Sequence, residues 1–434
     1  MEKRFLTKFN SITRLMLLTI ASLFFHLNNI SAQGATTAAL TGIIVDEKGE
    51  GLPGASVIVL HEPTGTQYGT VTNDDGRYNI VNMRVGGPYK ITVSFVGFQD
   101  YSTTNVFLTV GQELSQNIKM LVNASILDEV QVVGTRGSII NSGRSGPATT
   151  VGNKAINTLP TLNRSLQDFA RLDPRSNGTL SFGGRNALYN NITVDGAYFN
   201  NAFGLQPTIG SQAGAQPVSV DAIDQFQVNI APYDVRQGLS TGANVNIVTK
   251  TGTNDFSGSV YTFYRDTSML SKKVNGVTTS RVPFTFDNTQ FGARIGGPII
   301  RNKAFFFLAY EQEARNTPGS NGLVANRPGT TPAPGTGSNT ADVLASDLDG
   351  LKDFLIKKFN YNPGEYENYN REARNKKFNA RLDFNLSKEH KLNIKYNLLN
   401  SYADISPSTS GALPGGRNPS STNLPFQEIG RAHV

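Results

Sequence analysis

The sequence predicts a mainly β protein that is exported and ends in membrane-spanning strands. Three observations point there. Residues 38–121 read as short strands punctuated by turn residues, the pattern of a small β-sandwich. Around residues 377–398 two runs of about ten residues alternate apolar with charged side chains, the length a tilted membrane strand needs. The chain opens with an export leader, and no later stretch is long and apolar enough for a transmembrane helix. A closed barrel is the other structure that satisfies its own backbone in lipid.

The leader is read over residues 1–32. Lys3, Arg4, Lys8 and Arg14 form a basic start, residues 15–27 are apolar but too short to span, and Ile30, Ser31 and Ala32 end in a small residue. Cleavage is expected after Ala32. With Glu2, this leader supplies three of the net +7 charges, and what remains is too dilute to imply nucleic-acid binding. The chain has no cysteine, which excludes a disulfide framework, a thiolate metal site and a Cys nucleophile.

In the sandwich segment Ile43 and Val45, Val57 and Val59, Tyr78 and Ile80, and Ile91, Val93 and Phe95 alternate with polar neighbours. Asn73, Asp74, Asp75 and Gly76 form a strong hairpin turn, since all tolerate left-handed backbone. Together with Leu52-Pro53-Gly54 and Val96-Gly97-Phe98, this pattern resembles the carboxypeptidase-regulatory-like (transthyretin-like) domain, a relative of carbohydrate-binding-like folds. The resemblance brings no peptidase site: His61 stands alone beside Glu62 and is expected to be solvated, and no aromatic platform for sugar is apparent.

Residues 126–134 (Ile126, Leu127, Asp128, Glu129, Val130, Gln131, Val132, Val133, Gly134) combine an acidic pair with alternating β-branched and polar residues. Such a peptide can add as a strand to another protein's sheet edge. It is similar to the TonB box of TonB-dependent outer-membrane receptors. That resemblance implies that Asp128, Glu129, Val130, Gln131, Val132 and Val133 dock the energy transducer TonB, which works with ExbB and ExbD.

Residues 135–253 are rich in Gly, Asn, Ser and Thr, with strand-capable pieces at 191–194, 223–228 and 243–249 and a helical turn or two at 166–170. Small polar residues suit a domain packed inside a hydrophilic lumen. Ser181-Phe182-Gly183-Gly184-Arg185-Asn186, Asn191-Ile192-Thr193-Val194-Asp195-Gly196 and the run from Val220 through Arg236-Gln237-Gly238 to Lys250 resemble, in that order, the plug of these receptors. Asn200-Asn201-Ala202-Phe203-Gly204 looks most like the Oar-like branch. The resemblance makes Arg185, Asn190, Asp195, Asn200, Asn201 and Phe203 candidates for the plug's ligand face or its lumen contacts.

Residues 254–427 carry the barrel strands. Phe378, Ala380, Leu382, Phe384 and Leu386 alternate with Lys377, Asn379, Arg381, Asp383 and Asn385. After a tight turn, Leu392, Ile394, Tyr396 and Leu398 alternate with Lys391, Asn393, Lys395 and Asn397. Three earlier strands are read near 256–266, 290–295 and 303–311, and the connections alternate long and short, as in outer-membrane barrels. Residues 342–359 read as an amphipathic helix inside the longest connection, with Val343, Leu344, Leu348, Leu351, Phe354 and Leu355 on its apolar face. Five strands cannot close around a plug, which takes about 22. Residues 428–434 read as a translated sequencing adapter, so an N-terminal fragment is expected and His433 is discounted.

No nucleophile elbow, P-loop or His/Cys cluster is present, so neither enzyme activity, a metal nor a cofactor is expected. The resemblance implies a receptor in the outer membrane of a Gram-negative cell, with its N-terminal domain in the periplasm, importing an unidentified ligand. An adhesion or structural barrel, and a glycan importer partnered by a surface lipoprotein, are the alternatives.

Overall fold

A computed structural model describes residues 36–122 and 148–404, apart from 160, 162–163, 179, 202–207, 209, 211–212, 231–240, 270–272, 275–276, 279–285, 319–323, 329–339, 368 and 388–389. The leader, the 126–134 stretch and residues 428–434 lie outside the described residues.

The first domain is a sandwich of two sheets. In one, β1 (Ala38–Val45) pairs antiparallel with β4 (Arg77–Met83) and parallel with the short β7 (Glu113–Ser115) and β8 (Ile118–Lys119). The other has the antiparallel order β3-β2-β5-β6, from β2 (Ser56–His61), β3 (Thr66–Val71), β5 (Gly86–Ser94) and β6 (Tyr101–Leu108). The alternation read in the sequence sets the faces: Val57 and Val59 are fully buried, whereas Ile58 between them is exposed. Leu40, Ile44, Ile80, Tyr89, Ile91 and Val93 complete the core. At roughly 1.5–3 kcal/mol for each large apolar side chain buried, this face is what holds the sandwich. The 73–76 turn closes as its residues require. Asn73 Oδ1 accepts from the amides of Asp75 and Arg77 at 3.2 and 2.7 Å. Gly76 has φ +73°, and a Cβ there would lie 2.5 Å from the Ile44 carbonyl oxygen.

His61 corrects the sequence reading. It is buried, not solvated: it ends β2 with its ring 4.8 Å from that of Tyr89 and its Nδ1 2.7 Å from Thr64 Oγ1. Burial, then the nearby Arg84 charge, pushes its pKa down to about 3, so it stays neutral.

The middle domain holds β9 (Ala148–Gly152), α1 (Asn153–Thr158), α2 (Leu166–Ala170), β10 (Asn191–Val194), β11 (Ala197–Tyr198), β12 (Ile223–Ile230) and β13 (Ala243–Thr249). Its sheet runs β11-β10-β13-β12-β9, with β10 and β13 parallel and the other pairs antiparallel. Strand periodicity splits it into two faces. Ile192, Val194, Phe226, Val228, Val245 and Ile247 pack on Leu166 and Phe169 of α2. That short helix starts at a capping box, where the Asp168 carboxylate accepts from the Ser165 amide at 3.2 Å. The opposite face is a row of amides and hydroxyls, including Thr193, Gln225, Gln227, Asn244 and Asn246, and it too is buried. On it Thr193 Oγ1 donates to Asn246 Oδ1 at 3.0 Å, and Gln225 and Gln227 bond the backbone of the N-terminal sandwich.

The last sheet is an antiparallel wall in the order β14-β17-β18-β21-β22, from β14 (Ser257–Asp266), β17 (Asp287–Ile300), β18 (Ala304–Pro318), β21 (Asn370–Asn385) and β22 (Lys391–Ala403). Two of its connections are short, Ile300 to Ala304 and Asn385 to Lys391. The two long ones carry the small pairs β15 (Lys273–Val274) with β16 (Val277–Thr278) and β19 (Val324–Asn326) with β20 (Thr340–Leu344). The helix read at 342–359 starts later, as α3 (Ala345–Phe359), because residues 340–344 pair with β19 as a strand. Asn360, at φ +50°, ends α3, and its amide donates to the Ile356 carbonyl.

The wall is inside out relative to a soluble sheet. Glu311, Lys377, Asn379 and Asp383 are buried, at 2, 3, 4 and 0 % exposure, while Val260, Phe291, Ile394 and Leu398 are 74, 45, 51 and 46 % exposed. Charged residues are almost never buried unless paired, and contiguous apolar faces are not left to water. An apolar outer face with a charged inner face is the arrangement of a membrane barrel wall. On the inner face Phe307 and Ala309 join the middle domain's core, so the two units share one apolar cluster.

Candidate functional site

The polar contacts between the wall and the middle domain gather at two levels, and both are built on strand register. At mid-height β18 and β21 place Glu311 directly opposite Lys377. Their side chains form a buried ion pair at 2.6 Å. The other Glu311 oxygen accepts from Ser219 Oγ of the middle domain at 2.7 Å and from the Tyr261 hydroxyl of β14 at 2.5 Å. One carboxylate thus joins three wall strands to the domain they face. A buried charge persists only when paired and hydrogen-bonded this way. Beside it, Arg164 of the middle domain pairs with Asp221 at 2.9 Å and lies 4.5 and 5.0 Å from the centres of the Tyr261 and Phe263 rings. Those are cation–π distances.

At the short-turn end of the wall, Asp383 and Asp195 are the centres. Arg381 grips Asp383 with two hydrogen bonds, at 2.9 and 3.1 Å, and donates its remaining arm to the Thr249 carbonyl at 2.9 Å. Asp383 also accepts from Thr251 Oγ1 at 2.7 Å and lies 3.4 Å from Arg84 of the N-terminal sandwich. Asp195 sits in the β10–β11 turn at φ +51° and takes the Thr249 amide at 3.0 Å and hydroxyl at 2.6 Å. It then faces Arg381 at 3.8 Å and Lys395 at 3.7 Å.

A cavity of about 670 Å³ opens here between the three domains, lined among others by Arg84, Asp224, Arg381, Lys391 and Lys395. Burial pushes Asp224 up to about 6, against the opposing pull of Lys250 and Arg381. Burial likewise pushes Lys250 down to about 8, with its Nζ donating to the Asp221 carbonyl at 2.9 Å. Because the folded-state pKa of Asp224 is raised, its contribution to stability is full below the ordinary value of 3.8 and is lost as pH rises through about 6.

Of the residues singled out in the sequence, Asp195 reaches the wall. Asn190 is buried and fastens its own domain, donating to the Leu180 carbonyl and accepting from the Ala243 amide at 2.9 Å. Asn200 accepts from the Ile192 amide at 2.7 Å and donates to Asn191 Oδ1 at 3.2 Å. Arg185 is exposed beside the left-handed Gly183 and Gly184, and Asn201 is half-buried. Phe203 and the stretch Asp128, Glu129, Val130, Gln131, Val132 and Val133 lie outside the described residues. The sequence reading missed Arg84, Ser219 and Thr251 as partners of the wall, and the Glu311–Lys377 pair. That pair had a signal: opposite charges on the polar faces of two strands that could be neighbours.

Family profiles match two parts of the chain: the Carboxypeptidase regulatory-like domain over residues 39–121 and the Outer membrane beta barrel domain over residues 248–434. The TonB-dependent transporter Oar of Myxococcus xanthus is 24 % identical over 417 residues, which is 91 % of this chain and 36 % of that protein. The TonB-dependent receptor SusC of Bacteroides thetaiotaomicron is 32 % identical over 127 residues, 29 % of this chain and 11 % of its own. Among solved structures, the siderophore receptor PirA of Acinetobacter baumannii aligns over 65 % of this chain and 35 % of its own, at 17 % identity and a TM-score of 0.40. The chain therefore spans about a third of the length of Oar.

Proposed function

Starting from a chain that belongs to the TonB-dependent outer-membrane receptors, we propose that it imports a ligand across the outer membrane, driven from the inner membrane through TonB, ExbB and ExbD. The observation that carries this reading is the inside-out wall whose charged face is latched to the middle domain packed against it. A barrel with no moving part gains little from burying an ion pair, since apolar residues would fill the same space at no desolvation cost. An ion pair that also binds a separable plug is a contact that can be broken and remade. In this reading the middle domain is the plug, the short turns and the N-terminal sandwich face the periplasm, and the long connections with α3 face outward. Asp128, Glu129, Val130, Gln131, Val132 and Val133 are the strand that TonB pairs with and pulls. The ligand face is the outward side of the plug, with Arg185 its exposed candidate.

The test is backbone chemistry at position 130. Val130→Pro removes an N–H and fixes φ, so it should abolish site-directed crosslinking between the 126–134 stretch and TonB. Val130→Ala keeps the main-chain bonds that carry strand addition and should crosslink close to the parent level. Both should leave the amount of folded receptor unchanged. Undiminished crosslinking in Val130→Pro would sink the proposed docking strand.

A further inference from the structure

The N-terminal sandwich is held against both the plug and the wall. On the plug side its segment after β6 lies on the polar face of β12. The Val110 amide donates to Gln225 Oε1 at 2.8 Å, Gln225 Nε2 donates to the Leu108 carbonyl at 3.2 Å, and Gln227 Nε2 donates to the Val110 carbonyl at 2.8 Å. Leu108, Val110, Gln225 and Gln227 are all buried. On the wall side Arg84 reaches Asp383 and donates to Thr251 Oγ1 at 3.1 Å. Asn385 Nδ2 donates to Thr66 Oγ1 at 3.0 Å, and the Asn254 amide donates to the Pro63 carbonyl at 2.8 Å. Lys391 Nζ sits 3.1 Å from the centre of the Tyr68 ring. Gly65, at φ +60°, lies so close to Asn302 of the Ile300-to-Ala304 turn that a Cβ on it would be 3.3 Å from the Asn302 Cβ.

The geometry points to a function for this domain: it is a clamp on the short-turn mouth of the barrel that bridges plug to wall and must leave before the plug can move. Three features separate a clamp from a passive appendage. Its plug contacts use the side chains of Gln225 and Gln227, whose amides bond the Leu108 and Val110 backbone in place of water, so the two domains share a buried hydrogen-bonded seam. Its Arg84 enters the same carboxylate, Asp383, that the wall's own Arg381 holds, so the wall latch and the domain dock share one anion. And the chain between the domain and the plug is the stretch that contains residues 126–134, so a pull applied there acts between clamp and plug rather than on the plug alone. This last feature rests on the receptor reading above; the first two do not.

Release of the plug can be read as potassium chloride current through the purified full-length receptor in a planar lipid bilayer while urea is raised on the short-turn side. This chain has no cysteine of its own. Gly65→Cys with Asn302→Cys therefore introduces a pair whose Cβ separation is close to that of a disulfide. With the pair oxidised, and the bond verified by gel mobility, current should begin at a urea concentration higher by about 1 M or more than in the same molecules reduced. Arg84→Ala, which needs no disulfide, should shift the onset the other way, below the parent. An onset that is the same oxidised and reduced, or the same in Arg84→Ala as in the parent, would overturn the clamp while leaving the receptor reading standing. A parent that never conducts at any urea concentration would overturn both, because the barrel would then hold no removable plug.

Discussion

Lys377→Met should be among the most damaging single substitutions in the wall. It leaves the Glu311 carboxylate buried between β14, β18 and the plug with its cation gone. Breaking a buried pair by removing one partner costs about 3–5 kcal/mol, because the remaining charge cannot regain water. Removing both charges together, Glu311→Leu with Lys377→Met, should recover most of that loss, since apolar replacement of a buried pair is often neutral. Thermal unfolding of the purified receptor in detergent gives the ordering: parent and double variant close together, Lys377→Met well below. If the single variant melts with the parent, the pair is not the buried junction described here.

The second large effect comes from the opposite face of the same strands. Leu382 and Ile394 are cross-strand partners on β21 and β22 and point away from the plug, with Ile394 51 % exposed. Replacing either with Arg sets a charge against lipid at a cost of about 2–4 kcal/mol near the midplane. The pair Leu382→Arg with Ile394→Arg should therefore block assembly, seen as loss of the heat-modifiable gel band of a folded barrel. Asn393→Asp, next to Ile394 but on the other face, should keep that band. In a soluble sandwich the same two Arg substitutions would sit harmlessly in water.

The two faces of β21 and β22 were legible in the sequence because a strand's period is two and each face has one solvent. The same periodicity gave the alternating core of the N-terminal sandwich. The tight 73–76 turn was legible because Asn, Asp and Gly each have a local reason to be there. What alternation cannot give is the identity of the solvent on the polar side. Lys377 and Arg381 read as lumen-facing charges, yet they are packed against Glu311 and Asp383 and, through them, against Ser219 and Thr251, residues more than a hundred positions away. Pairings of that kind depend on how the plug is seated, which no local pattern encodes. His61 was misread for the same reason: its burial comes from Tyr89 and Thr64 folding over it. Residues 342–344 were drawn into the helix by Val343 and Leu344, whereas pairing of residues 340–344 with β19 decided their state. Asn190 and Asn200 were singled out for their position in a plug-like motif, and their amides turn out to be spent within their own domain.

Which solvent each face of the wall meets can be measured directly with nitroxide labels along β22. Single cysteines at 392 to 398 in the full-length receptor, reconstituted in bilayers, can be relaxed by oxygen, which concentrates in lipid, or by a nickel chelate, which stays in water. Labels replacing Leu392, Ile394, Tyr396 and Leu398 should relax with oxygen, those replacing the half-buried Lys395 and Asn397 should respond weakly to both, and the one replacing Asn393, exposed at the cavity, should relax with nickel. Nickel relaxation at the four apolar positions would place that face in water and contradict the membrane wall, and the plug and clamp with it.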